Sequence, residues 1–182
     1  MVANVALSKN LRFWHWYPEM LVQDLSPEQL SWQPEHHDTS IIFALWHAYR
    51  AEDDLVHGLI MQRPSVFASR NWAEKLPVTE TGVTPFGNGL SRDQIGRIRL
   101  DAAAVVAYAK AVGDSVLAYM ESLSDEEAAA EISLPFFKNV YRDVDVMSRA
   151  EAIAFFSIGH TSEHLGEVQF IKGLLGLKGA PL

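Results

Sequence analysis

The chain has 182 residues, 48% of them hydrophobic and 21% charged. That is enough for one packed core and short for two, so a single domain over residues 1–182 is expected. The formal net charge of −8 argues against a nucleic-acid partner, which needs clustered Lys and Arg. Cysteine is absent, which excludes disulfides, cysteine-ligated zinc and cysteine nucleophiles; any thiol chemistry must take its thiol from outside.

From about Asn4 to Asp24, Leu7, Leu11, Trp14, Leu21 and Leu25 recur at helical spacing and predict a first amphipathic helix, with Pro18 expected to kink or split it. Ser26-Pro27-Glu28-Gln29 reads as a cap, an N1 proline and a capping-box glutamine opening a short helical turn. A polar link over 33–38 follows. The second long helix is capped within Asp38-Thr39-Ser40 and runs to about Met61, with His47 at its centre. Residues 63–90, rich in Pro and Gly, read as a long connection packed down by Val66, Phe67 and Trp72, with a short helical possibility near Trp72–Leu76. Loops of this length are often functional, and this one is placed to cover the mouth of a site.

Ser91-Arg92-Asp93-Gln94 is a capping box predicted to open the third long helix, reaching about Leu123, with Gly113 marking a close helix contact or a bend. Arg92, Arg97 and Arg99 read as its solvated start. Ser124-Asp125-Glu126-Glu127 caps another short helix. Residues 132–147 switch to β-like alternation (Val140, Val144, Val146) and predict an irregular or hairpin segment. Ser148-Arg149-Ala150-Glu151 opens the fourth long helix, which Gly173, Gly176 and Gly179 stop. Four long amphipathic helices and little strand make an all-α four-helix bundle with long inter-helix connections.

The chemistry concentrates in the fourth helix. Ile153, Phe156, Ser157, His160, His164, Glu167, Ile171 and Leu174 fall within about 60° of one helical meridian, a stripe apolar at both ends and polar in the middle. His160 and His164, four residues apart, lie one turn from each other on that face. With His47 from the second helix they form a candidate mononuclear metal site. Three neutral imidazoles leave at least one coordination position open, the pattern of catalytic zinc sites. Such a site lowers the pKa of bound water toward about 7, or holds a thiol as thiolate. Glu167, one turn beyond His164, is placed as a hydrogen-bond partner to a ligand, a fourth ligand or a proton acceptor. The same spacing also fits histidines hydrogen-bonded in an ordinary core. His36 and His37 read as surface residues, His57 as solvent-facing, and His15 as an outside candidate for the pocket wall.

Rival bundle chemistries lack their motifs. The chain has no Glu-x-x-His for a di-iron carboxylate site, and His160-Thr161-Ser162-Glu163-His164 places the glutamate wrongly for a His-Glu-x-x-His protease. No Cys-x-x-Cys-His, phosphate-binding glycine loop or Gly-x-Ser-x-Gly elbow is present.

Two segments together carry a family resemblance: Ser40-Ile41-Ile42-Phe43-Ala44-Leu45-Trp46-His47, and His160-x-x-x-His164-Leu165-Gly166-Glu167-Val168. With the element order, the long Gly-rich link and Leu123-Ser124-Asp125-Glu126, they make the chain similar to the DinB/YfiT-like superfamily. That resemblance implies a four-helix bundle in which His47, His160 and His164 bind a divalent metal, commonly zinc or nickel, often in a homodimer. It also implies thiol-dependent transfer or isomerisation using a low-molecular-weight thiol. Many relatives have Gly-Gln after the second histidine; Gly166-Glu167 instead puts a carboxylate beside the metal.

The expectation is therefore a metal-dependent enzyme in which water or an exogenous thiol attacks a small-molecule substrate, of hydrolase or thiol S-transferase type, with Glu167 as the catalytic proton acceptor. No nucleic acid or membrane partner is expected. No apolar run reaches the length of a membrane span, and the N-terminal MVANVALSKN lacks the basic start and apolar core of a secretion signal, so the expected location is the cytoplasm. The rival reading is a non-catalytic dimeric bundle that binds a small ligand or protein partner.

Overall fold

The structure, a computed structural model, describes residues 2–135 and 145–179, with backbone alone for 2–6. It is the all-α bundle that the periodicity predicts. Its long members are α1 (Val2–Val22), α3 (Ile41–Leu55), α6 (Ala102–Ser122), and the run α8 (Arg149–Ala154) to α9 (Thr161–Leu174). Short helices α2 (Pro27–Ser31), α4 (Val66–Ser69), α5 (Arg92–Ile95) and α7 (Asp125–Ala129) sit in the connections. α1 packs along α6, and α3 packs along α9. Ile41, Leu45, Tyr49, Val105, Tyr108, Val112, Ile153, Leu165 and Val168 are fully buried between them.

Pro18 neither splits α1 nor leaves an orphan. A proline has no N–H for the carbonyl four residues back; that carbonyl, on Trp14, accepts instead from the buried Tyr49 hydroxyl at 2.7 Å. Gly113 marks a close contact, as its position predicts. A methyl group there would fall 2.4 Å from His15 Cγ, so the absence of a side chain lets α1 lie against α6.

The third predicted helix is two helices. The Ser91–Gln94 capping box forms, but α5 is a single turn, and α6 restarts where the Asp101 carboxylate accepts from the Ala103 and Ala104 amides. Arg92 is only partly solvated. Its guanidinium donates to the carbonyls of Pro34 (2.7 Å), Gln33 (3.4 Å) and His37. Gln33 in turn donates to the Arg92 carbonyl at 3.0 Å, so α5 and the 33–38 link are clasped together. Against the expectation of no span-length apolar run, α6 is long and apolar enough to cross a membrane by composition; half of that window is buried in the bundle, as in a core helix.

Strands β1 (Glu131–Ser133) and β2 (Val146–Ser148) pair antiparallel, Ile132 opposite Met147, and so form the base of the expected hairpin. Val140 and Val144 lie outside the described residues. Gly176, at φ +71°, ends the last helix, and the Leu177 amide reaches back to the Lys172 carbonyl at 2.9 Å. Leu174, expected on the buried stripe, is half exposed, because periodicity gives a side chain's direction but not how far along the helix its neighbours extend.

Candidate metal centre

Two π turns shape the inner helices. α3 continues into Val56–Ile60, and α8 joins α9 through Phe155–His160; each wide turn contains a glycine beside a histidine, His57-Gly58 and Gly159-His160. Single π turns recur at functional sites because they reposition side chains that a regular helix would point elsewhere.

The second π turn delivers His160, and the first turn of α9 delivers His164. Their Nε2 atoms are 3.2 Å apart. From α3, His47 completes the group: one ring nitrogen from each residue lies within 4.8 Å of the other two. The remaining nitrogens are largely committed. His47 Nδ1–H donates to the Phe86 carbonyl at 2.6 Å, and His164 Nδ1–H donates to Glu167 Oε2 at 3.0 Å. Both bonds fix the tautomer that leaves Nε2 with its lone pair, the arrangement of metal-binding histidines. His160 Nδ1 is buried without a hydrogen-bond partner, and so is the Ser157 hydroxyl one turn earlier.

His47 and His160 are held neutral. Burial, then the neighbouring His164, lowers the His47 pKa to about 4, despite the pull of the Phe86 carbonyl and Glu167. Burial, then His164 and His47, lowers that of His160 to about 3. Neutral imidazoles with converging lone pairs suit a divalent cation and are poor companions for one another, since their adjacent lone pairs gain nothing without a shared cation or proton. The donor set therefore fits a metal ion.

The sequence profile of the DinB superfamily matches residues 19–168, most of the chain and all three histidines. The chain belongs to the DinB superfamily. Within the solved structures, it resembles one described as the conserved protein of locus from Enterococcus faecalis. The TM-score is 0.72 over 92% of this chain and 96% of that one, at 13% identity, which is a likeness of fold alone. No curated protein matches the chain significantly.

In this DinB-superfamily chain His47 and His164 line a cavity of about 420 Å³. The end of the long connection, Gly87 to Leu90, lines this cavity, so the link does reach the site. Gly87, at φ +90°, lets the backbone pass where a side chain would meet Trp46 at 2.9 Å. His37, Asp38 and Thr39 line it as well. His37 is thus more than a surface residue: its Nε2 lies 3.6 Å from Glu167 Oε1. Adjacent histidines in a polar link give no periodic signal, and only the Arg92 clasp brings this one to the site.

Other histidines were misplaced by the sequence. His57, expected in solvent, is buried; Nδ1 faces Asp53 Oδ1 at 2.8 Å and Nε2 faces Ser115 Oγ at 2.8 Å. Asp53 also accepts from the Val66 and Phe67 amides and from the Tyr108 hydroxyl, fastening the long connection to α3. Burial raises the Asp53 carboxyl pKa, but the bonds from His57, Tyr108 and the two amides outweigh it and leave the pKa low. His15 does turn inward, but to Glu52 at 2.9 Å and the Leu11 carbonyl at 2.7 Å, not to the histidine trio.

Proposed function

We propose that His47, His160 and His164 hold a divalent metal, zinc or nickel, and that the protein is a metal-dependent enzyme in which water or an exogenous low-molecular-weight thiol attacks a small-molecule substrate. The observation that carries this reading is the convergence of three histidine ring nitrogens from two helices beside a cavity, with Phe86 and Glu167 holding two of the rings from behind. A divalent ion bound there supplies Lewis acidity that acidifies water or a thiol.

The chain's own groups do the rest. Phe86 and Glu167 keep the His47 and His164 rings in register, so little reorganisation accompanies binding. Glu167 lines the cavity and uses one oxygen on His164; its free lone pairs accept the proton that the nucleophile loses on attack, and the leaving group takes that proton on departure. Phe43, stacked on His47 with ring centres 5.7 Å apart, shields the apolar side of the site from water.

Elemental analysis of untagged protein beside a His160→Ala/His164→Ala variant tests the assignment. About one metal ion per chain, lost in the variant, is expected. A His47→Ala variant with unchanged metal content would remove His47 from the site. No metal, and none taken up on titration, would leave a non-catalytic bundle that binds a ligand or partner. A cytoplasmic homodimer completes the proposal. The half-exposed Phe170 and Leu174, one turn apart on α9, favour a second copy, and the solution mass by light scattering checks it.

A further inference from the structure

The cavity joins apolar side chains to an acidic rim. Phe43, Leu90 and Ile95 line it with Asp38, Glu167 and His37, and among the described residues no Lys or Arg side chain lines it. Arg92 stands behind the rim, but its guanidinium is spent on the carbonyl oxygens of Gln33, Pro34 and His37. A site for an anionic ligand normally offers a guanidinium, an ammonium or a row of amides. This one offers two carboxylates.

Resting on the three-histidine reading, we infer that the site takes neutral or cationic small molecules with a short apolar body, an amine-bearing thiol or substrate above all, and rejects anionic ones. The apolar part of the ligand covers Phe43, Leu90 and Ile95 while its ammonium faces Asp38. A ligand carboxylate in the same place would meet like charge in a partly enclosed cavity, where water and salt screen less than in bulk. The metal itself attracts any thiolate, so the rim, not the metal, sets the preference between thiols.

Cobalt(II)-loaded protein at pH 8, where imidazoles are neutral, provides the test. Cysteamine, 2-mercaptoethanol and 3-mercaptopropionate are titrated in, and the sulfur-to-cobalt charge-transfer band is followed, each affinity corrected for thiolate fraction. Cysteamine is expected to bind roughly tenfold more tightly than 3-mercaptopropionate, with 2-mercaptoethanol between them and the spread shrinking in high salt. Asp38→Asn should cut that spread by about threefold while leaving cobalt binding intact, and it cancels intrinsic differences between the thiols. Equal affinities, a reversed order, or a spread that Asp38→Asn leaves unchanged would overturn the charge preference while the metal site stands. Failure to bind cobalt would overturn both.

Discussion

Both long inner helices carry a π turn with a histidine beside a glycine, yet the two histidines have opposite fates. His57 is closed off, one ring nitrogen on Asp53 and the other on Ser115. His160 keeps one nitrogen buried without a partner and aims the other at His164. His15 belongs with His57: both of its nitrogens face acceptors, on Glu52 and Leu11. The same residue type is thus fully hydrogen-bonded in one part of the bundle and left with an unpartnered ring nitrogen in the other. The difference lies in what faces the rings. Glu52 in contact with His15 favours its imidazolium, whereas burial among other imidazoles keeps His47 and His160 neutral, each with a lone pair free.

Glu52→Ala strands a buried His15 beneath α6, and equilibrium urea unfolding should register a loss of about 3–5 kcal/mol. Metal content per folded chain should not change. A stability loss below about 1 kcal/mol would mean that the pair is no buried ion pair at all.

The two groups also respond to pH with opposite sign. His15 is held above its ordinary pKa: burial pulls it down, but Glu52 outweighs that. Its stabilisation is therefore complete below the unfolded value of about 6.5 and is lost as pH rises through the higher folded value. His47 and His160, lowered to about 4 and about 3, behave the other way. Their contribution is complete above about pH 6.5 and drains away as pH falls toward those values. Thermal melts of metal-free protein should fall on both sides of neutrality. His15→Met should flatten the alkaline limb and His160→Ala the acid limb; a variant that flattened the opposite limb would refute the assignment.

The smallest effect is expected at Glu167. In Glu167→Gln the amide oxygen still accepts from His164 Nδ1–H, so metal affinity measured against a competing chelator should drop by only about tenfold. Turnover, once a substrate is found, should drop further because the amide cannot take a proton. Equal losses in both would reduce Glu167 to a positioning residue.

His160 and His164 are legible as a pair because they share one helical face, which an α-helix enforces whatever surrounds it. Capping boxes marked helix starts for the same local reason, at Ser26, Ser91, Ser124 and Ser148. Ser91 also marks the limit: a cap starts a helix without saying how far it runs, and the chain turned at Gly96 because Arg92 and Gln33 clasp a distant link. His57 is buried because α6 packs against that side of the chain and brings Ser115 to within 2.8 Å of its Nε2, which a helical angle alone does not reveal.

The sequence by itself determined the helical class, the heavily polar middle of the last helix and the exclusion of cysteine chemistry, since each depends on local periodicity or composition. Tertiary structure decided what composition cannot encode. It brought His47 to the height of His160 and His164, laid the Phe86 carbonyl behind it, set His37 and Asp38 at the mouth, and gave His15 and His57 carboxylates. Those are meetings between residues far apart in the chain, fixed by which helices pack and in what register, and no local pattern carries that information.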